Sequence, residues 1–312
     1  MPQPNLDLHI IDLSTDRASA VKLIRKACLD SGFFYVVNHG IEDSLMQMVF
    51  QQSKEFFALP LEEKMELVRE DHAGYTPIYG ETLDPSSKSG GDIKETFNIA
   101  PNGNKNAQHD GVKEWPSEES VPLWRDTMET YYEEAMAVAK ELLSLIALAL
   151  DLDDEFFEKV GALSPAMGFL RLLHYPGELG ALKSNKFGAS AHSDYGMITL
   201  LATNGVAGLQ ICKEKEKSPQ IWEDVRHIDG AFIVNLGDIL ERWTNCIFRS
   251  TLHRVKPVGQ ERYSVAFFLY PNFDCVVECL ESCCSETRPA RFPPISGGDY
   301  LKQRGRLTYS AK

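Results

Sequence analysis

The sequence predicts a mainly β fold with α additions, and two observations lead to that prediction. Apolar residues return at helical spacing in several segments of about the first 150 residues. From Met167 onward, short runs of β-branched and aromatic residues recur between turn residues, as in an antiparallel sandwich or barrel. We therefore expect a single integrated domain over residues 1–312, α-rich in residues 1–160 and with a β core in residues 161–312.

The first half alternates short strands with amphipathic helices. Residues such as Val21, Ile24 and Cys28 share one helical face, and Gly32 follows as a helix terminator. The predicted elements are a strand over Leu8–Leu13, helices over Arg17–Asp30, Ser44–Phe57 and Leu123–Leu150, and a strand over Phe33–Val37. Residues 71–115 are loop-like, and the pattern fits either a pocket rim or lid, or an insertion without such a role.

The second half is predicted to consist of strands. The segments are Phe169–Tyr175, Met197–Thr203, Gly208–Cys212, Ala231–Asn235, Ser250–Val255 and Arg262–Tyr270. Their regular spacing is typical of strands that fold back on one another into two facing sheets.

Composition excludes several classes of partner. Hydrophobic residues make up 43% of the chain, charged residues 25%, and the net charge is −13. An acidic surface repels polyphosphate, so we expect neither nucleic acid nor an anionic membrane as a partner. No apolar run is long enough to span a bilayer, and no secretory signal is seen, so a cytoplasmic location is expected. In a cytoplasmic chain the seven cysteines are expected to be reduced thiols. Four of them cluster over Cys275–Cys284, but without paired Cys-x-x-Cys spacing we do not expect a structural zinc site there.

A metal site is indicated by a His-x-Asp pair with a distant histidine. Non-haem Fe(II) oxygenases need two His and one carboxylate on one face of the metal. Two such pairs exist, His192 with Asp194 and His227 with Asp229, and His253 is the only histidine downstream of both. On a strand, residues i and i+2 point to the same side, which suits either pair.

Spacing selects between the two pairs. In a double-stranded β-helix the pair and the distal histidine lie on early and late strands, with several strands between. His253 follows Asp194 by 59 residues but Asp229 by only 24, and at roughly 8–12 residues per strand and turn the longer interval fits. Asp229 and Gly230 also form a typical hairpin-turn pair. We predict His192, Asp194 and His253 as metal ligands, although His227 is an alternative distal ligand with fewer intervening strands.

An Arg-x-Ser pair follows the distal histidine. Arg262 and Ser264 lie two residues apart on a predicted strand and so face one side. A guanidinium fork with a neighbouring hydroxyl suits a carboxylate, which indicates an anion site close to the metal.

Several ordered motifs resemble those of the plant-type 2-oxoglutarate/Fe(II)-dependent dioxygenases, which share their fold with isopenicillin N synthase. The motifs span most of the chain and comprise Gly32–Gly40, Phe56–Pro60, His192–Leu201, Gly208–Gln210, Asn235–Asp238, Ser250–Val255 and Arg262–Ser264. The resemblance implies a double-stranded β-helix (jelly roll) core backed by helices. It also implies Fe(II), 2-oxoglutarate as cosubstrate and O2, with no catalytic residue beyond the iron ligands, and a monomer.

The resemblance also implies roles for particular residues. Arg262 and Ser264 would bind the far carboxylate of 2-oxoglutarate, with Tyr175 as a further contact. The family has an Asn two residues before that Tyr, where this chain has Leu173, and His174 is a candidate substitute.

Substrate-pocket candidates come from the same comparison. They are Lys94, Phe97, Trp243 and Phe268. The implied reaction oxidises a small organic metabolite, most commonly by hydroxylation, with succinate and CO2 released; desaturation, demethylation and ring closure are variants of it. Two alternatives stay open at this point, a 2-oxoglutarate-independent iron oxidase and a non-catalytic binding module on the same fold.

Overall fold

The computed structural model describes residues 7–68, 73–84, 91–100, 115–177 and 186–309. Helices in this part of the chain are α1 (Arg17–Asp30), α2 (Asp43–Phe57), α3 (Leu61–Met65), α4 (Trp124–Ala149), α5 (Phe156–Lys159), α6 (Asp238–Trp243) and α7 (Gly297–Tyr309), with a 3₁₀ turn at Glu281–Cys283. The predicted bounds of α1 are confirmed, and those of α2 and α4 are confirmed to within one residue.

The strands confirm the β-rich second half. They are β1 (His9–Asp12), β2 (Phe33–Val37), β3 (Gly74–Thr76), β4 (Glu95–Ile99), β5 (Met167–Tyr175), β6 (Ala189–His192), β7 (Ile198–Thr203), β8 (Leu209–Cys212), β9 (Glu223–Asp224), β10 (Phe232–Leu236), β11 (Leu252–Val255), β12 (Arg262–Tyr270), β13 (Val276–Val277) and β14 (Ile295–Ser296).

Helix α1 begins and ends where local chemistry predicts. The Asp16 carboxylate accepts a hydrogen bond from the Ser19 backbone N–H at 3.0 Å, which caps the first turn. After the helix, Gly32 adopts a φ of +66°, and a Cβ there would lie 1.9 Å from the Arg249 carbonyl oxygen. Glycine is therefore required for the chain to turn from α1 into β2.

Two sheets form the core. Among the described residues the larger has the order β1-β2-β10-β7-β12-β5-β4-β3 and the smaller β6-β11-β8-β9. The pairing of β1 with β2 is parallel, and the other ladders are antiparallel. The jelly-roll prediction is confirmed, because an apolar cluster joins the inner faces of both sheets.

Each side of the large sheet has its own apolar cluster. Inside the roll, Tyr35 and Leu173 from the large sheet pack with Ile211 from the small one. On the outer side, helices α1, α2 and α4 cover the sheet, with Leu142 and Ile146 fully buried. Strand alternation separates the two environments, so a residue's parity decides whether it faces the roll or the helices.

The structure differs from prediction in the segment 71–115. It contains β3 and β4, which extend the large sheet, so the loop prediction is wrong for those residues. Residues 71–72, 85–90 and 101–114 lie outside the described residues. Strand β4 was hard to recognise because Glu95 interrupts the alternation of polar residues at 94, 96 and 98 with apolar residues at 97 and 99. In the described part of the chain, no helix combines the length and apolar character needed to cross a bilayer.

Candidate metal centre

The three predicted ligands meet at one end of the roll. His192 ends β6, and His253 lies directly opposite it in β11. The Nε2 atoms of His192 and His253 lie 3.7 Å and 3.6 Å from Asp194 Oδ1. Among the described residues this is the only group of three His, Cys, Asp or Glu side chains whose ligand atoms all lie within 4.8 Å of one another.

Backbone carbonyls orient both imidazoles. His192 Nδ1 lies 2.7 Å from the Ser190 carbonyl oxygen, and His253 Nδ1 lies 3.2 Å from that of Thr251. When Nδ1–H donates to these carbonyls, Nε2 of each ring carries no proton, and its lone pair is directed toward Asp194. Burial, reinforced by the neighbouring His253, lowers the pKa of His192 to about 4. The His192 imidazole is therefore neutral at pH 7.

The Asp194 carboxylate is held from one side. Its Oδ2 accepts hydrogen bonds from Thr199 Oγ1 at 2.6 Å and from Asn235 Nδ2 at 2.8 Å. Burial alone would raise the pKa of Asp194, but the two histidines and these donors outweigh it and lower the pKa. Asp194 is therefore an anion whose Oδ1 faces both imidazoles.

A close approach of two chain segments fixes the backbone of Asp194. The Asp238 N–H donates to the Asp194 carbonyl at 2.7 Å, and the Gly237 N–H donates to Met197 at 2.8 Å. A Cβ on Gly237 would lie 2.2 Å from the Gly196 carbonyl oxygen, so glycine is required there. The sequence motif at residues 235–238 thus supports the carboxylate through Asn235 and through this contact.

The predicted anion site lies inside the roll. Arg262 is 2% exposed, its Nη1 donates to Ser264 Oγ at 3.1 Å, and its guanidinium lies 4.9 Å from the Tyr175 ring centroid. No described acidic side chain pairs with Arg262, and its Nε has no hydrogen-bond partner among the described residues. Burial lowers the pKa of Arg262, so a bound carboxylate would stabilise its charge. This donor set fits the far carboxylate of 2-oxoglutarate.

The two residues before Tyr175 face opposite sides of β5. Leu173 packs in the inner apolar cluster and offers no polar atom. His174 points outward, with Nδ1 2.7 Å from Glu95 and Nε2 2.9 Å from Glu261. The suggestion that His174 replaces the missing Asn is wrong, because alternation along the strand puts it on the far side of the sheet from Tyr175.

The substrate-pocket candidates divide in the same way. Phe97 and Trp243 are fully or almost fully buried outside the roll, Phe97 against Trp124 and Trp243 against Phe157. The structure thus places these two in the hydrophobic core, and the physical reason for Phe97 is its outward parity in β4. Phe268 faces inward, with the Arg171 guanidinium 5.7 Å from its ring centroid.

Lys94 also faces the roll, but it is already paired. Its Nζ lies 2.8 Å from Asp92 Oδ2 and 3.1 Å from Glu81 Oε2. Glu81 in turn pairs with Arg171 at 3.3 Å. From the sequence, Asp92 is recognised only as part of the stretch Asp92–Phe97, which resembles the family's segment along the approach to the pocket, and no role is predicted for it. Glu81 was not identified, since an isolated acidic residue in a loop-like stretch gives no signal of burial.

The second His-x-Asp pair lies elsewhere. His227 Nε2 contacts Asp229 Oδ1 at 2.9 Å, and the Asp229 side chain is fully exposed. His227 Nδ1 lies 2.8 Å from Thr203 Oγ1. This separate pairing supports the prediction that His192 and Asp194, rather than His227 and Asp229, belong to the metal site.

Comparisons with known proteins agree with this geometry. Residues 4–118 match the family profile described as "non-haem dioxygenase in morphine synthesis N-terminal", and residues 168–271 match "2OG-Fe(II) oxygenase superfamily". Azadirone synthase LFS of Melia azedarach is 42% identical over 96% of this chain and 92% of its own length. Kihadalactone A synthase LFS of Citrus sinensis is 40% identical over 97% and 92%.

Solved structures show the same architecture. A full-length Neurospora crassa protein in complex with alpha-KG and thymine has a TM-score of 0.82 and 29% identity, covering 98% of each chain. JOX2 in complex with 2OG, Fe and JA has a TM-score of 0.81 and 28% identity, covering 96% of this chain and 85% of that one.

Proposed function

Because the chain belongs to the 2OG-Fe(II) oxygenase superfamily, we propose that His192, Asp194 and His253 hold its iron. The enzyme is an oxidoreductase that uses Fe(II), 2-oxoglutarate and O2 on a small organic molecule. The observation that carries the residue assignment is the convergence of two Nε2 atoms and one Oδ1 within 4.8 Å. Two neutral imidazoles and one carboxylate form the donor set of non-haem Fe(II) oxygenases.

The protein's part in this site is to fix the ligands in place. The Ser190 and Thr251 carbonyls hold the imidazoles, while Thr199 and Asn235 hold Asp194 Oδ2. When bound, the iron with 2-oxoglutarate and O2 supplies the oxidising power that cleaves a substrate C–H bond, and succinate and CO2 are released. Hydroxylation is the outcome we propose.

The cosubstrate contacts are proposed to be Arg262, Ser264 and Tyr175. The Arg262 guanidinium gains a partner for its buried charge when the far carboxylate binds, and the Ser264 hydroxyl lies close enough to share it. Tyr175 limits the movement of the guanidinium by stacking on it. Leu173 removes one polar contact from this group, so binding relies more heavily on Arg262.

An anaerobic titration of Fe(II)-loaded protein with 2-oxoglutarate tests this proposal. We expect a weak visible charge-transfer band in the wild type and its loss at the same concentration in Arg262→Ala. Arg242→Gln is the control. Arg242 also stacks on an aromatic ring, that of Phe292, but it lies in helix α6 and not beside Ser264 and Tyr175. No band in wild-type protein with bound iron would instead favour a 2-oxoglutarate-independent oxidase.

We also propose a cytoplasmic monomer that folds as one domain and acts on a small molecule held near Lys94 and Phe268. All seven cysteines are free thiols, which fits a reducing compartment. The interior position of Phe268 supports a role in the pocket wall. Light scattering after size exclusion would test the monomer, and a metabolite screen by succinate release would identify the substrate.

A further inference from the structure

Strand β6, which ends in His192, is poorly supported by its own sheet. It is four residues long and lies at the edge of the smaller sheet, with β11 as its only neighbour among the described strands. Its pairing with β11 is irregular, because the register shifts between His253 and Val255. A short edge strand with an irregular ladder is weakly held, yet this one carries a metal ligand that must stay in position.

The open edge of β6 is occupied by the carboxylate of Asp92. Asp92 Oδ1 accepts hydrogen bonds from the Ser190 N–H at 3.1 Å and from Ser190 Oγ at 2.6 Å. Both Asp92 and Ser190 are buried, at 1% and 3% exposed. The carboxylate therefore takes the place that a neighbouring strand's carbonyl would have.

The same residue, Ser190, orients the His192 ring. Its carbonyl oxygen lies 2.7 Å from His192 Nδ1. The Asp92 carboxylate accepts hydrogen bonds from the N–H and hydroxyl of Ser190, and the carbonyl of Ser190 accepts one from His192 Nδ1–H. Partners of this kind set the tautomer and direction of a ligating imidazole.

Asp92 is itself held by a buried, charge-balanced network. Its Oδ2 accepts from Lys94 Nζ at 2.8 Å and from the Leu83 N–H at 3.3 Å. Lys94 pairs with Glu81, and Glu81 pairs with Arg171 of β5. The negative charges of Asp92 and Glu81 are balanced by the positive charges of Lys94 and Arg171, which offsets the cost of burying the Asp92 carboxylate. Because Arg171 belongs to β5, the same contacts link β6 to the large sheet.

We propose that Asp92 is a positioning residue for the metal centre, which acts through Ser190 to hold the imidazole of His192. The inference rests on the proposed function, since it takes His192 as a metal ligand. It extends that function by connecting the iron site to Glu81, Asp92 and Lys94, which the predicted metal-ligand motifs do not include.

Asparagine at position 92 should disturb this contact while keeping the size of the side chain. All four groups that bind the carboxylate are donors, namely Ser190 N–H, Ser190 Oγ–H, Lys94 and Leu83 N–H. An amide has one acceptor oxygen, so its NH2 must face donors on one side or the other. The variant therefore loses either the hydrogen bonds to Ser190 or the one to Lys94.

The test is the affinity of the full-length, metal-free protein for Co(II), measured by calorimetry, together with the visible ligand-field spectrum of the Co(II) protein. We expect Asp92→Asn to weaken Co(II) binding about tenfold or more and to shift the ligand-field bands. Ser190→Ala keeps the carbonyl but removes the hydroxyl contact, and we expect a smaller loss. It also tests the proposal if Asp92→Asn does not fold.

Glu95→Gln is the matched control. Glu95 is a carboxylate of the same segment, similarly buried and also paired with a lysine, Lys64, but it faces the helices. We expect it to lower thermal stability while leaving Co(II) affinity and spectrum unchanged. Wild-type affinity in both folded Asp92→Asn and Ser190→Ala, or an equal loss in Glu95→Gln, overturns the proposal. Absence of Co(II) binding by the wild type would instead overturn the proposed metal site, so the two failures are distinguishable.

Discussion

His253 of β11 lies directly opposite His192 of β6, with ring centroids 4.2 Å apart. These two residues are 61 positions apart in the chain, and the pairing of β6 with β11 places them side by side. Asp194 follows His192 by two residues, and its Oδ1 lies within 3.7 Å of both Nε2 atoms. The ladder between β6 and β11 is therefore what assembles the proposed iron site.

Replacement of Asp194 by alanine should abolish metal-dependent turnover. The change removes the only anion of the triad and leaves two neutral nitrogens, which bind Fe(II) far more weakly. We expect loss of bound iron and a fall of at least about a hundredfold in substrate-dependent succinate formation.

Asp229→Ala provides the matched control for that variant. Asp229 belongs to the other His-x-Asp pair, and its side chain is fully exposed. Iron content and succinate formation should match the wild type. Full activity in Asp194→Ala, or an equal loss in Asp229→Ala, contradicts the assignment of the ligands.

Acid stability should depend on Glu95. Burial alone would raise the pKa of this carboxyl, but hydrogen bonds from His174, Lys64 and Tyr75 lower it below its ordinary value. A carboxylate with a lowered folded-state pKa adds stability above its unfolded pKa, and that stability is lost as pH falls through the folded pKa. Glu95→Gln should therefore cost about 2 kcal/mol at pH 7, and the cost should shrink below about pH 4.

Thermal unfolding of wild type and Glu95→Gln across a pH series measures this difference. Asp153→Asn is the control, since Asp153 is an exposed carboxylate paired with exposed Lys159, and we expect little change at any pH. A Glu95→Gln cost that stays constant down to pH 3 would show that the lost stability is not linked to ionisation of Glu95.

The proposed single domain predicts one cooperative unfolding transition. Leu142 of α4 is fully buried in the cluster that joins the helices to the outer face of the large sheet. Leu142→Ala should cost about 3 kcal/mol and shift the whole transition in scanning calorimetry. Leu23→Ala, at a 38% exposed position of α1, should cost under about 0.5 kcal/mol. Two transitions of which only one shifts would separate the helices from the roll.

The sequence by itself predicted the three longest helices, most strands and the three side chains that converge at the proposed metal site. Helical spacing in α1 and α4, and the 59-residue interval between Asp194 and His253, are local or one-dimensional properties that survive without coordinates. The Arg262 and Ser264 pair was found in the same way, because residues two apart on a strand must share a side.

Only the tertiary structure decided which residues of β4 and β5 face the interior of the roll and which face the helices. It also decided which residues distant in the chain come into contact. In β4 the inward residues Thr96 and Asn98 are polar, and the outward face carries Glu95 beside Phe97, while β5 has polar and apolar residues on both faces. Hydrophobic pattern therefore could not assign Phe97 outward and Lys94 inward, or place His174 against Glu95. The contact of Asp92 with Ser190 joins residues 98 positions apart. It depends on the packing of the two sheets, which leaves no local periodicity in the chain.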